Sequence, residues 1–249
     1  MPRADVLLVE LGLAPSRTAA QHMIAARRVS ADGKVVDKVS QKLDHDAVIA
    51  IAPDEADRYV SRGGLKLAGA LQAAGLNVTG LQVLDVGQST GGFTDCALQA
   101  GARRVLGLEV GHDQLHPRLA NDARVATLEG VNARHVTRDD IATHVDGEID
   151  LIVGDVSFIS LTLILPALAT LLQEDGRLLF LVKPQFEVGP QGLARGGIVR
   201  DVSLYPEVET RIRAAAEAAG FTVLGYYDSA IAGGDGNREF FIYARRARP

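Results

Sequence analysis

The sequence predicts an α/β chain in which a mostly parallel sheet carries helices on both faces, preceded by a small α+β unit. Three observations carry that expectation. From Tyr59 onward, short apolar runs alternate with helix-like stretches, the pattern of parallel strands joined by crossover helices. The first of these runs leads straight into a glycine-rich loop, as in doubly wound folds that bind nucleotide-like ligands. Before Tyr59 the chain shows two short amphipathic stretches and a tight-turn signal, too little for a large core, followed by a polar acidic segment at 53–57.

Residues 1–52 are expected to form the first domain. Val6, Leu7, Leu8, Leu11 and Leu13 place an amphipathic helix near the start. Pro15-Ser16 opens a second helix, with Ser16 as its N-cap and Met23 and Ile24 on its core side. An extended segment begins at Val29. Asp32-Gly33 marks a turn before Lys34-Val35-Val36, and Val48-Ile49-Ala50-Ile51 closes the unit as a strand. Residues 53–60 read as a linker and 61–249 as the second domain. Its strands are expected at 83–86, 104–109, 125–128, 149–153 and 178–182, with a helix beginning at Phe93 and running to Gln99. An alanine-rich helix over 207–219 is ended by Gly220. Two final strands, 221–227 and 239–244, have no helix separating them, so one antiparallel strand is expected near a sheet edge.

Composition narrows the function classes. The chain has 249 residues, 47% hydrophobic and 23% charged, ordinary for a folded domain protein. One cysteine excludes a disulfide framework and a cysteine-based zinc site, and it suits a cytoplasmic location. No stretch is long and apolar enough to span a bilayer, since the longest nearly apolar run, 161–172, contains a proline. Net charge is −5, so any nucleic-acid binding must rest on a local basic cluster.

The chemistry concentrates in a few motifs. The first strand of the second domain leads into Asp85-Val86-Gly87-Gln88-Ser89-Thr90-Gly91-Gly92-Phe93. Glycines let this backbone turn tightly and approach a ligand. The loop lacks the lysine of a P-loop and the spacing of the dinucleotide fingerprint. Glu109 closes the next strand, where a carboxylate can accept hydrogen bonds from ribose hydroxyls. Together they favour S-adenosylmethionine as cofactor, with Asp85, Gly87, Ser89, Thr90, Gly91, Gly92, Phe93, Glu109 and Asp155 as its candidate contacts. Lys66, Asp155, Lys183 and Glu239 are the candidate catalytic residues. Asp155 and Lys183 follow two strands at their carboxyl ends, which face the ligand crevice in such sheets. Two lysines and two carboxylates around one point suit the handling of a proton from a weakly acidic hydroxyl. Lys183 would accept or orient that proton, Lys66 would supply a second cation, and Glu239 would hold one lysine by ion pairing. The competing explanation is a set of surface salt bridges. Other methyl acceptors are disfavoured. The Pro-Cys pair of cytosine-carbon attack is absent, and Asp155-Val156-Ser157-Phe158 stands where amine methylation would use Asp/Asn-Pro-Pro-Tyr.

Three further readings complete the pass. Arg17, Arg27, Arg28, Lys34 and Lys38 lie among few acids in the first unit and can face phosphates, or equally form a solvated face. His112 and His116 are four apart but have no evident third ligand, so no metal is expected and they read as surface histidines. Cys96 reads as a small packing residue.

The residues also resemble a known family. Arg3-Ala4-Asp5-Val6-Leu7-Leu8, Tyr59-Val60-Ser61-Arg62-Gly63-Gly64, Ser89 to Cys96, Ser157-Phe158-Ile159-Ser160-Leu161, Lys183-Pro184-Gln185-Phe186-Glu187 and Gly196 to Asp201 are together similar to the TlyA (haemolysin A) family of ribosomal RNA 2′-O-methyltransferases over nearly the whole chain. The resemblance implies an N-terminal RNA-binding domain of the kind named after ribosomal protein S-four, and a Rossmann-like, FtsJ-like methyltransferase domain. It implies S-adenosylmethionine as cofactor and a ribose 2′-hydroxyl of ribosomal RNA, cytidine by expectation, as acceptor, within free RNA or a ribosomal subunit. The family's Lys-Asp-Lys-Glu tetrad falls on Lys66, Asp155, Lys183 and Glu239. Arg3 joins Arg17, Arg27, Arg28 and Lys34 as RNA-binding candidates, and Arg58 and Tyr59 as candidates for coupling RNA docking to cofactor binding. Gln88, Glu109 and Asp113 depart from the family's usual small residue, Asp and Gly. Gln88 is expected to narrow the cofactor pocket, and Glu109 to retract to reach the same hydroxyls. A non-catalytic assembly factor and a membrane-acting haemolysin are the alternatives; the intact tetrad argues against the first, and no spanning or strongly basic amphipathic helix supports the second.

Overall fold

A computed structural model describes residues 1–14 and 16–247. Pro15, expected to open the second helix, lies outside the described residues. The chain divides into two compact units, Met1–Asp57 and Arg58–Pro249.

In the first unit, helices α1 (Ala4–Glu10) and α2 (Arg17–Ala25) precede strands β1 (Val29–Ala31), β2 (Lys34–Val35) and β3 (Ile49–Ile51). The strands form an antiparallel sheet in the order β2-β1-β3. Ser16 caps α2 as expected, its hydroxyl accepting from Ala19 N at 3.2 Å. Asp32 and Gly33 take the left-handed backbone that a tight hairpin requires. Leu7 and Leu8 bury against Ala20, Ile24, Val29 and Val36. Leu11 and Leu13, expected on the first helix, fall beyond its end and are exposed.

The second unit is a seven-stranded mixed sheet. Its elements are α3 (Gly63–Ala74), β4 (Gln82–Val86), α4 (Gly92–Gln99), β5 (Arg104–Leu108), α5 (Pro117–Ala120), β6 (Val125–Leu128), α6 (Arg138–Ile141), β7 (Ile149–Gly154), α7 (Leu165–Leu171), β8 (Leu172–Val182), α8 (Tyr205–Ala218), β9 (Phe221–Asp228) and β10 (Phe240–Arg246). The strand order is β6-β5-β4-β7-β8-β10-β9. β10 pairs antiparallel with both neighbours, so the expected antiparallel strand near an edge is present. Side chains alternate across the sheet. Leu84, Val86, Ile152, Phe180 and Ile242 join α7 and α8 in one core, while Val83, Leu151, Leu179 and Phe241 join α3 and α4 in the other. Truncating a fully buried ring such as Phe180 or Phe241 to alanine costs about 3–5 kcal/mol.

The topology fixes the site. β4 and β7 are parallel neighbours, Val86 lying opposite Gly154, while the chain leaves β4 toward β5 on the other side. That reversal opens a crevice beyond their carboxyl ends, where ligands bind in open α/β sheets. No helix among the described residues is long and apolar enough to cross a membrane.

Candidate active site

The loop after β4 and the residue after β7 approach as closely as backbone permits. Gly87 has φ +79°, and a Cβ there would meet Asp155 O at 2.4 Å. Only glycine fits this position. Two cavities adjoin at this point. One, of about 370 Å³, is lined by Ser61, Arg62, Gly63, Lys66, Gly87, Thr90, Gly92, Phe93, Asp155, Ser157 and Lys183 among others. The second, of about 520 Å³, is lined by Gly87, Ser89, Glu109, Asp155, Phe158 and apolar residues that include Leu108, Val131 and Ile164. They share Gly87, Ser89, Asp155 and Ser157.

The four candidate catalytic residues resolve into two ion pairs. Lys183, directly after β8, holds Asp155 Oδ1 at 2.5 Å and donates to Ser157 Oγ at 2.9 Å. Lys66, on the first turn of α3, donates to Glu239 Oε2 at 2.6 Å. Their side chains are only 11% and 2% exposed, so Glu239 is a buried carboxylate with Lys66 as its counter-charge. Glu239 lies just before β10, beside β8 in the sheet. Of the two lysines, Glu239 therefore holds Lys66, which stands as a paired second cation, while Lys183 pairs with Asp155.

The cofactor candidates separate. Gly87, Ser89, Glu109 and Asp155 line the larger cavity, and Thr90, Gly92 and Phe93 the smaller. Glu109 curls back over the loop, accepting from Ser89 N and Gly111 N at 2.8 Å each. The longer side chain is thus retracted, and its carboxylate keeps lone pairs for ligand hydroxyls. Gly91 lines neither cavity; with φ +93° it shapes the turn into α4 and packs on Leu119. Asp85 also lines neither. It is fully buried beneath the loop, accepts from Thr94 Oγ1 at 2.7 Å, and its Oδ1 has no hydrogen-bond partner among the described residues. Burial pushes its carboxyl up to about 7. Asp85 acts on the loop from below, not on the cavity surface.

Gln88 corrects another expectation. It is not among the residues lining the larger cavity, though it borders the smaller one, and its side chain turns into the sheet, donating to Thr94 Oγ1 at 2.9 Å and accepting from Thr127 Oγ1 at 2.8 Å. Gly107 on β5 makes the space, since a Cβ there would meet the Gln88 amide carbon at 2.0 Å. Asp113 adopts φ +56°, a conformation glycine takes freely and aspartate tolerates.

Sequence reasoning missed Ser157, Arg62 and the aromatic rim. Phe158 is 91% exposed at φ +64° and lines the larger cavity. Its ring meets Phe186 at 5.2 Å, and Phe186 in turn lies 5.9 Å from Lys183 Nζ. Large apolar exposure combined with a left-handed backbone is the signal, and neither is visible in sequence.

In the first unit, Arg3 and Arg17 converge on buried Asp5, at 2.9 and 3.0 Å, with Gln21 donating to the same carboxylate at 3.0 Å. Arg3 and Gln21, through their hydrogen bonds, hold the Asp5 carboxyl well below its usual range. Arg27 and Lys34 are exposed. Arg28 departs from its expected RNA-facing role: its side chain is mostly covered, donates to Ala52 O at 3.0 Å, and pairs with Asp57 and Asp54. The acidic segment that follows β3 has taken its charge. Of the two histidines, His112 pairs with Glu129 at 3.4 Å and His116 caps α5. Cys96 packs in the core with Tyr59 and Phe93.

Comparison with known proteins follows these divisions. The family described as FtsJ-like methyltransferase matches residues 59–246, and the S4 domain matches residues 2–49. A candidate rRNA methyltransferase, YqxC of Bacillus subtilis, is 43% identical over 241 residues, 97% of this chain and 84% of its own length. The 16S/23S rRNA (cytidine-2′-O)-methyltransferase TlyA of Mycobacterium tuberculosis is 40% identical over 243 residues, 98% of this chain and 89% of its own length. A solved structure of a candidate hemolysin from Streptococcus thermophilus matches with a TM-score of 0.78 and 40% identity, covering 98% of this chain and 88% of that one.

Proposed function

The chain belongs to the TlyA (haemolysin A) family of FtsJ-like methyltransferases with an S4 domain, and on that premise we propose that it methylates the 2′-hydroxyl of a cytidine in ribosomal RNA. The observation that carries this reading is that Lys66, Asp155 and Lys183 line one cavity beside the glycine loop, Lys183 paired with Asp155 and Lys66 with Glu239.

S-adenosylmethionine fits the larger cavity by donor set and shape. Gly87 leaves a cradle that a Cβ would fill, apolar residues flank the cavity, and Glu109 offers a carboxylate to ribose hydroxyls. When bound, this cofactor supplies an electrophilic methyl group on a sulfonium. Lys183, fixed by Asp155 and Ser157, orients the acceptor hydroxyl. The Lys183 Nζ–Asp155 Oδ1 pair would take up the proton that this hydroxyl loses when its oxygen receives the methyl group. Lys66 lines the same cavity, and its neutralisation by Glu239 keeps it from competing for the proton.

On the substrate side, Arg62 is exposed at the cavity and supplies a cation for a flanking phosphate. Phe158 and Phe186 form a stacking platform for an unpaired base, a contact worth about 1–3 kcal/mol per base. The first unit docks RNA through Arg3 and Arg17, with Arg27 and Lys34 adding charge; the reaction is placed in the cytoplasm with its ribosomal substrate. The test is transfer of labelled methyl from S-adenosylmethionine to unmodified small and large subunits, assayed separately, with nucleoside mapping. Label in 2′-O-methylcytidine is the expected result. Label on a base, or no label with cofactor bound, would contradict the reading.

A further inference from the structure

One buried carboxylate has no part in the mechanism above. Glu187 follows Phe186 on the loop after β8 and is almost fully covered. Burial of an ionisable group is costly unless it is hydrogen-bonded. Both of its side-chain hydrogen bonds lead to the other catalytic loop: Oε2 accepts from Ser160 Oγ at 2.7 Å and Oε1 accepts from Leu161 N at 2.8 Å. Arg211 of α8 braces it from behind, donating to the Glu187 carbonyl and lying 3.8 Å from Oε2.

Phe158 needs such a brace. A non-glycine residue in the left-handed region is strained, and it persists only where its surroundings over-determine it. Burial does not hold this ring, because Phe158 is 91% exposed. The ring contact with Phe186 and the anchoring of Ser160 and Leu161 two and three residues downstream remain. Both the anchor and the ring partner belong to the segment 186–187. We infer that Glu187 is the positioning residue of the aromatic platform, closing the loop of Asp155 and Phe158 onto the loop of Lys183 and Phe186 so that the rings are set before RNA arrives. This rests on the reading of Phe158 and Phe186 as a base-stacking pair.

The competing role is purely structural: Glu187 also accepts from Leu161 N at the start of the turn that Ser160 caps. The experiment separates the two in the full-length protein, acting on whichever unmodified subunit accepts methyl. Kinetics for the subunit, the Kd for S-adenosylmethionine and the unfolding midpoint are measured for E187A, E187Q, F158A and the E187A/F158A double variant. E187A is expected to raise KM for the subunit on the order of tenfold, the scale of one base–aromatic stack, with cofactor Kd unchanged. E187Q is expected to restore most of the loss, because its amide oxygen still accepts from Leu161 N and its NH2 donates to Ser160 Oγ. The double variant is expected to be no worse than F158A alone, since both changes remove the same platform. Wild-type kinetics for E187A, additive losses in the double variant, or loss of fold and cofactor binding that E187Q fails to restore would each overturn the inference. Wild-type kinetics for F158A would overturn the platform reading itself and the inference with it.

Discussion

The two units each bury a carboxylate against a cation, and they do so to opposite ends. In the first unit Asp5 is inside and its partners are outside: the Arg3 and Arg17 side chains are 40% and 58% exposed. Each guanidinium spends part of its donor edge on Asp5 and keeps the rest for solvent. That arrangement presents oriented charge to a polyanion. In the second unit Glu239 and Lys66 are both covered, and the cation serves a cavity rather than a surface. The same ion-pair chemistry therefore builds a docking edge in one place and a reaction wall in the other. Exposure of the cation distinguishes them, which net charge cannot do.

The largest effect is expected from breaking the buried pair. Lys66→Ala strands Glu239 as an unpaired buried charge, costing about 3–5 kcal/mol of stability, and turnover falls by about two orders of magnitude, the scale of a misplaced reaction site. Thermal unfolding and single-turnover rates check both. Arg17→Ala is expected to leave both untouched, so equal damage by the two variants would erase the contrast between the units. Next comes Gly87→Ala, which drives a Cβ into Asp155 O and strains a φ of +79°. Strain of about 1–3 kcal/mol should weaken cofactor binding by roughly one order of magnitude in calorimetry while RNA binding is unchanged. Asp5→Asn then sharpens the docking side. It frees Arg3 and Arg17 from one orientation, so RNA affinity drops several-fold although the net charge of −5 becomes less negative, and kcat at saturating RNA is unaltered. Tighter RNA binding by Asp5→Asn would show that charge, not orientation, governs this edge.

A separate effect is a pH dependence beneath the cofactor loop. Burial raises Asp85 from 3.8 to about 7 in the folded chain. A raised folded-state value contributes stability that is complete below the unfolded value and is lost as pH rises through the folded one. Asp85→Asn removes that titration, so the variant should gain in unfolding midpoint over the unaltered protein as pH climbs from 4 to 8. A gap that shrinks over this range would place the Asp85 shift in the other direction.

Much of this was legible in sequence, and the rest was hidden for physical reasons. Alternating apolar runs announced the sheet because strands buried on both faces must be apolar. The tetrad was found through short motifs at strand ends, where chain direction alone aims residues at the crevice. Helix α3 was missed because it opens on Gly63-Gly64, residues that weaken helix propensity, so the element that places Lys66 reads as loop. Arg28 was misread because the acids that neutralise it, Asp54 and Asp57, looked like linker composition. Gln88 looked obstructive because its room is made by Gly107 on the neighbouring strand. The part played by Glu187 depends on Ser160 and Leu161, 27 and 26 positions away, a pairing that no local pattern encodes.

The claim on which the account turns is that Lys183 handles the proton of the acceptor hydroxyl. Single-turnover methylation of unmodified subunits by Lys183→Ala, with cofactor affinity measured in parallel, tests it most directly. Methyl transfer is expected to fall to background while S-adenosylmethionine binds and the protein stays folded. Transfer at a near-native rate by that variant would contradict it.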